Sequence, residues 1–110
     1  MKIGVKGTII RKYVKVNNDV VKFSYLIKIK EITKQSEDIE SILKLEIFKF
    51  RENIDDINSD TDSTYFILNK NIELFLYLSN LPINLEIDDE IEIYLANTNS
   101  TLNVEKIVWE

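Results

Sequence analysis

The sequence contains neither cysteine nor histidine. Without cysteine the chain forms no disulfides and no thiolate metal sites, which fits a reducing compartment. Without histidine it lacks the commonest general base, the commonest metal ligand and the usual switch near neutral pH. There are only two glycines, Gly4 and Gly7, and no glycine-rich phosphate loop. No apolar run approaches the roughly 18 residues of a membrane span. The first residues, Met1-Lys2-Ile3-Gly4-Val5-Lys6-Gly7, are too polar for a signal peptide and read as a strand. Together these absences predict a cytoplasmic protein away from membranes, with no cofactor and no enzymatic activity.

What is present is enough for a core. The chain has 110 residues, of which 45% are hydrophobic and 10% aromatic. A chain of this length is expected to form one domain, residues 1–110, able to bury a core without disulfide or metal staples. The clearest pattern lies near the end. Ile91, Ile93 and Leu95 alternate with Glu92, Tyr94 and Ala96, the period of a strand with one buried face. Asn97-Thr98-Asn99-Ser100 is turn chemistry, and Leu102 and Val104 resume the alternation. This predicts a terminal hairpin.

The first third predicts a longer hairpin. Ile3, Val5, Gly7 and Ile9 share one face of a strand over residues 3–16, with a phase slip at Ile10-Arg11 that signals a bulge or bend. Gly7 suits a place where two backbones come close. Asn17-Asn18-Asp19 marks a tight turn. In residues 20–32, Val21, Phe23, Tyr25, Ile27 and Ile29 form one face, expected in the core. Lys22, Ser24, Leu26, Lys28 and Lys30 form the other. Residues 33–41 are a polar connection with room for one helical turn. Residues 42–50 read as a strand. Residues 51–64 read as a surface loop, and residues 65–68 as a short strand. Residues 70–80 fit two periods. Ile72, Leu74, Leu76 and Leu78 alternate as in a strand. Leu74, Leu78 and Leu81 also follow a helical spacing, with Asn69 or Asn71 as cap and Pro82 as terminator. Helix is the expectation, because leucine and glutamate favour it.

Charge is divided unevenly. Residues 1–50 carry eleven Lys/Arg against six Asp/Glu; residues 51–110 carry three against thirteen. Such a split suits a basic binding face and an acidic one, or two halves that neutralise each other across one barrel. The whole-chain charge of −5 opposes strong non-specific nucleic-acid binding.

Three strands, a helix and two strands is a layout that resembles OB-fold barrels. The stretch Leu85-Glu86-Ile87-Asp88-Asp89-Glu90-Ile91 is similar to the segment entering the fourth strand of many such domains, where an apolar residue, Gly and Asp precede the strand. Asp88 stands at the usual glycine. The resemblance implies a mainly β, five-stranded, mostly antiparallel barrel with one short helix between strands 3 and 4. It also implies binding of single-stranded nucleic acid at strands 2 and 3. The residues for that role are Lys22, Lys28, Lys30 and Lys44, with Phe48 and Phe50 as stacking platforms. A second reading is a protein–protein module, an accessory subunit or acidic inhibitor. It would meet a basic partner through Glu86, Asp88, Asp89, Glu90 and Glu92.

Other chemistry fails on its residues. Asp56, Asn58 and Asp60 alternate as calcium ligands do, but Thr61 stands where the loop needs Gly and Ile67 where it needs Glu. Asp88, Asp89 and Glu90 could pair for acid–base work but fall in an expected exposed turn.

Overall fold

A computed structural model describes residues 2–35, 48–50, 62–98 and 101–109. The chain is mainly β. Its strands are β1 (Lys2–Asn17), β2 (Val20–Gln35), β3 (Phe48–Phe50), β4 (Tyr65–Leu68), β5 (Leu74–Leu81), β6 (Glu90–Thr98) and β7 (Thr101–Trp109). They form one sheet in the order β3-β4-β5-β2-β1-β6-β7. Six strands pair antiparallel; the three-residue β3 lies parallel to β4. Among the described residues the sheet is not closed, and its seven strands differ from the five expected.

The expected helix over residues 70–80 is absent: β5 runs through that segment as a strand. Phe75, Leu76, Tyr77 and Leu78 are all buried, so both strand faces are covered. A strand covered on both faces loses the simple alternation that announces one. Leucine's helix preference, worth tenths of a kcal/mol per residue, is outweighed by that burial. The apparent helix cap is a real side-chain cap on a different structure. Asn69 Oδ1 accepts from the amides of Asn71 (3.0 Å) and Glu73 (2.8 Å), and so shapes the β4–β5 hairpin loop.

The long β1–β2 hairpin forms where the alternation and turn residues place it. Its turn residues Asn18 and Asp19 have φ of 50° and 67°, the two left-handed positions of a type I′ turn. The slip at Ile10-Arg11 is a register shift between Ile9 and Arg11. Further shifts lie between Gly4 and Val5 and between Lys6 and Gly7. At the last of these β1 presses on β2. A Cβ added to Gly7 would stand 2.5 Å from the Lys28 carbonyl oxygen and 2.6 Å from Ile27 Cγ2.

The main core gathers Ile3, Val5 and Ile9 of β1, Tyr25 and Ile27 of β2, Phe66 of β4, Leu76 and Leu78 of β5, and Ile91, Ile93 and Leu95 of β6. Leu102 of β7 and Leu85 of the β5–β6 connection complete it. Side chains from strands far apart in the sheet order thus join one apolar cluster. Tyr25 ties the connection down: its hydroxyl donates to the Ile83 carbonyl (2.5 Å) and accepts from the Leu85 amide (2.7 Å).

The opposite face of β2 departs from expectation. Ser24 and Leu26, expected outside, are fully buried. Leu26 joins Tyr65, Ile67, Phe75 and Tyr77 in a second apolar cluster, with Ile10 and Tyr13 at its margin. Ser24 Oγ accepts from the Asn80 amide (3.1 Å) at the irregularity between β2 and β5.

Candidate functional site

The charged residues that the sequence separates into halves meet in space. Lys6 lies 3.7 Å from Glu92, Lys12 3.6 Å from Glu86, Lys15 3.8 Å from Asp62 and Lys28 2.9 Å from Glu73. Lys2 pairs with Glu105 and Lys30 with Glu90. In each pair the lysine comes from the first half and the carboxylate from the second. The cause is topological: β1 lies between β2 and β6, so the basic hairpin is flanked by acidic strands and connections. The lysine hydrogen bonds hold the Glu73 and Glu90 carboxyls below their ordinary value.

Of the residues expected at a nucleic-acid face, Lys28 and Lys30 are thus engaged by carboxylates. Lys22 lies directly across the ladder from Lys15 near the hairpin turn. Phe48 and Phe50 fall in β3, with β4 and β5 between them and β2. That separation is roughly 14 Å at the usual strand spacing. Lys44 lies outside the described residues, as do the candidate calcium ligands at 56, 58 and 60. Among the described residues no cluster of acidic side chains could hold a metal ion.

The acidic residues are placed by the turn that leads into β6. Asp88 has a φ of 76°, so an aspartate takes the left-handed conformation for which the resembling pattern uses glycine. Its amide donates to the Ile9 carbonyl (2.8 Å), and the Ile9 amide donates to the Asp89 carbonyl (3.0 Å). Asp89 Oδ2 accepts from the Glu86 amide (3.0 Å), so this carboxylate serves its own turn. Glu86, Glu90 and Glu92 face lysines of the same chain, and Asp88 is exposed.

Among the described residues, two of the recesses beside the sheet bear on these side chains. One of about 600 Å³ is lined by Lys6, Lys30, Glu31, Glu90, Glu92 and Trp109, among others, and so mixes both signs of charge beside a tryptophan. The other, about 430 Å³, separates the Ser79–Leu81 end of β5 from Thr101–Val104 of β7 and includes Asp62.

The feature that sequence reasoning missed is the far end of the β1–β2 hairpin. β1 pairs with β6 only from Lys2 to Thr8, and β2 pairs with β5 only from Phe23 to Lys28. Among the described residues the turn end of the hairpin, from Arg11 to Lys22, has strand pairing only within the hairpin and forms a two-stranded arm. Val14, Val16, Val20 and Val21 on it are 57%, 69%, 52% and 43% exposed. Val21 shares its strand face with Phe23 and Tyr25, the face whose alternation predicts the core, and is exposed instead. The signal was in the lengths. Two 16-residue strands cannot be covered over their whole length by neighbours of eight and nine residues. The arm's base is fixed: Lys12 Nζ lies 5.1 Å over the Phe23 ring and bonds Asn84, and the Tyr13 ring packs 6.3 Å from that of Tyr77.

No helix among the described residues is long and apolar enough to cross a membrane. Comparison with protein-family models, with curated proteins and with solved structures finds no significant match to this chain.

Proposed function

We propose that the chain is a non-catalytic binding module on a partly open, OB-like barrel, and that it acts by associating with another protein. Three features support the OB-like reading. A long first hairpin leads the chain, with β5 beside its second strand. A closing hairpin, β6–β7, docks on the free side of β1. Asp88 takes the backbone conformation that the resembling motif assigns to glycine.

The observation that carries the functional reading is the arm. Large apolar side chains exposed together are uncommon on a small domain and mark association surfaces. Of the lysines that would track a phosphate backbone, Lys28 and Lys30 are meanwhile matched by carboxylates of the same chain. A nucleic acid would have to displace those contacts, which lowers its electrostatic gain. The acidic run is less suited to a basic partner than its sequence suggests, because most of its carboxylates already face lysine or their own turn.

Titration of labelled single-stranded DNA and RNA across a salt series tests this reading. The expected result is no saturable binding even at low salt. Binding that weakens log-linearly with salt and disappears in a Lys22→Glu/Lys28→Glu variant would overturn it in favour of a nucleic-acid module. Chemical crosslinking in extracts of the source cell supplies the positive arm, with adducts expected for the wild type and lost in Val14→Asp/Val16→Asp.

A further inference from the structure

Resting on that protein-association reading, we propose that the free edge of β1 along the arm, from Tyr13 to Asn17, accepts an added β-strand from a partner protein. The segment it fits alternates apolar with acidic residues.

The edge is defined by where pairing stops. The β1–β6 ladder ends at Thr8, and the last bonds on that side of β1 are those between Ile9 and the Asp88–Asp89 backbone. Beyond that point no strand among the described residues pairs with β1 on the side away from β2. An unpaired strand edge presents a row of amides and carbonyls that template another strand.

The two faces of the arm specify the side chains of that strand. Val14 lies opposite Phe23, and Val16 opposite Val21, giving an apolar face. Tyr13 lies opposite Ser24, and Lys15 opposite Lys22, giving a polar and basic one. A strand laid along β1 would place apolar side chains beside Val14 and Val16. The residue between them would face Lys15. The charge there is unfinished. Lys15 and Lys22 are like charges directly opposed across a ladder, which is destabilising. The carboxylate near Lys15, Asp62 at 3.8 Å, is itself 83% exposed. An acidic residue arriving beside Lys15 would complete the arrangement.

The arm is also prepared for such a partner. Its type I′ turn suits the twist of the two strands, and its base is held by Lys12 and Tyr13. Less ordering is therefore needed on binding. Face-to-face packing of two copies is the weaker alternative. Val14, Val16 and Val21 together offer far less than the roughly 800 Å² per partner of a stable interface, whereas an added strand also gains main-chain hydrogen bonds. The outer edge of β7, which likewise pairs with no further strand among the described residues, is interrupted. Lys106 pairs with Tyr94 and Val104 with Leu95, leaving Glu105 as an extra residue, a bulge of the kind that discourages edge pairing.

The test uses the full chain, labelled with ¹⁵N, and a short capped peptide alternating valine with glutamate; its valine–lysine counterpart is the control. The expected result is saturable amide shifts confined to residues 10–23 with the glutamate peptide and none with the lysine peptide. A Lys15→Glu/Lys22→Glu variant should bind the glutamate peptide at least about tenfold more weakly and should now accept the lysine peptide. That gain shows that the variant is folded. Absence of saturable shifts, shifts centred on Thr101–Trp109, or equal binding of both peptides would each overturn the proposal. If the peptides fail and single-stranded nucleic acid fails too, protein association stands without this site. If nucleic acid binds at Lys15 and Lys22, both readings fall.

Discussion

Replacing Tyr25 with phenylalanine tests the joint that holds the β5–β6 connection to the barrel. Tyr25 is fully buried in β2, and its hydroxyl joins the Ile83 carbonyl to the Leu85 amide. Phenylalanine keeps the ring and its packing but strands one acceptor and one donor. A buried polar group left without its partner costs about 1–3 kcal/mol. Some relaxation of the connection offsets part of the loss, so about 2 kcal/mol is expected, or roughly 8 °C in Tm for a chain of this size. Urea unfolding followed by the fluorescence of Trp109 measures it. The pH dependence adds a second readout. Burial, reinforced by the nearby Glu86 and Asp89 carboxylates, raises the hydroxyl's pKa above its ordinary 10.0 despite the Leu85 hydrogen bond. The folded protein therefore keeps this proton where the unfolded chain loses it. The contribution is fully present below pH 10, and is lost as pH rises through the folded pKa. The gap between wild type and Tyr25→Phe should accordingly narrow above about pH 10. A neutral-pH cost below about 0.5 kcal/mol, or a gap that stays constant into alkali, would refute the argument.

Three further perturbations probe other joints. Gly7→Ala drives a methyl against the Lys28 carbonyl and Ile27 and should cost about 1–3 kcal/mol in urea unfolding; a cost under about 0.5 kcal/mol would show that β1 and β2 can separate freely there. Asp88→Gly removes a left-handed strain and should raise stability by up to about 1 kcal/mol, while Asp88→Val lowers it; the reverse order in thermal unfolding would contradict the assignment. Glu73 and Glu90 have carboxyls held low by Lys28 and Lys30. The stability they contribute is present above the ordinary value of 4.5 and lost as pH falls through their lower folded values. Glu73→Gln and Glu90→Gln should therefore flatten the acid side of the stability curve, and an unchanged acid limb in the double variant would count against these ion pairs.

The sequence by itself determined the strands whose two faces differ. Period-two alternation marked β1, β2 and β6 and placed Ile3, Val5, Ile9, Tyr25, Ile27, Ile91, Ile93 and Leu95 inside. That signal is local, because each strand carries its own record of one buried and one solvated face. Turn chemistry was equally local, and Asn18-Asp19 turns where its residues said it would. Tertiary structure decided what depends on neighbours. β5 has two covered faces, so its alternation stood out no better than its helical spacing, which left leucine's helix preference to mislead. Leu26 alternates with core residues, yet is buried because β4 and β5 carry a second apolar cluster beside it. The charge split left two readings open, two binding faces or two halves that neutralise each other; the ion pairs follow the second, and the placing of β1 between β2 and β6 is what brings them about. Val21 keeps the core phase of its strand but is exposed, because β5 and β6 end before they reach it. Periodicity fixes which way a side chain points; whether anything stands there to meet it is set by strands distant in sequence.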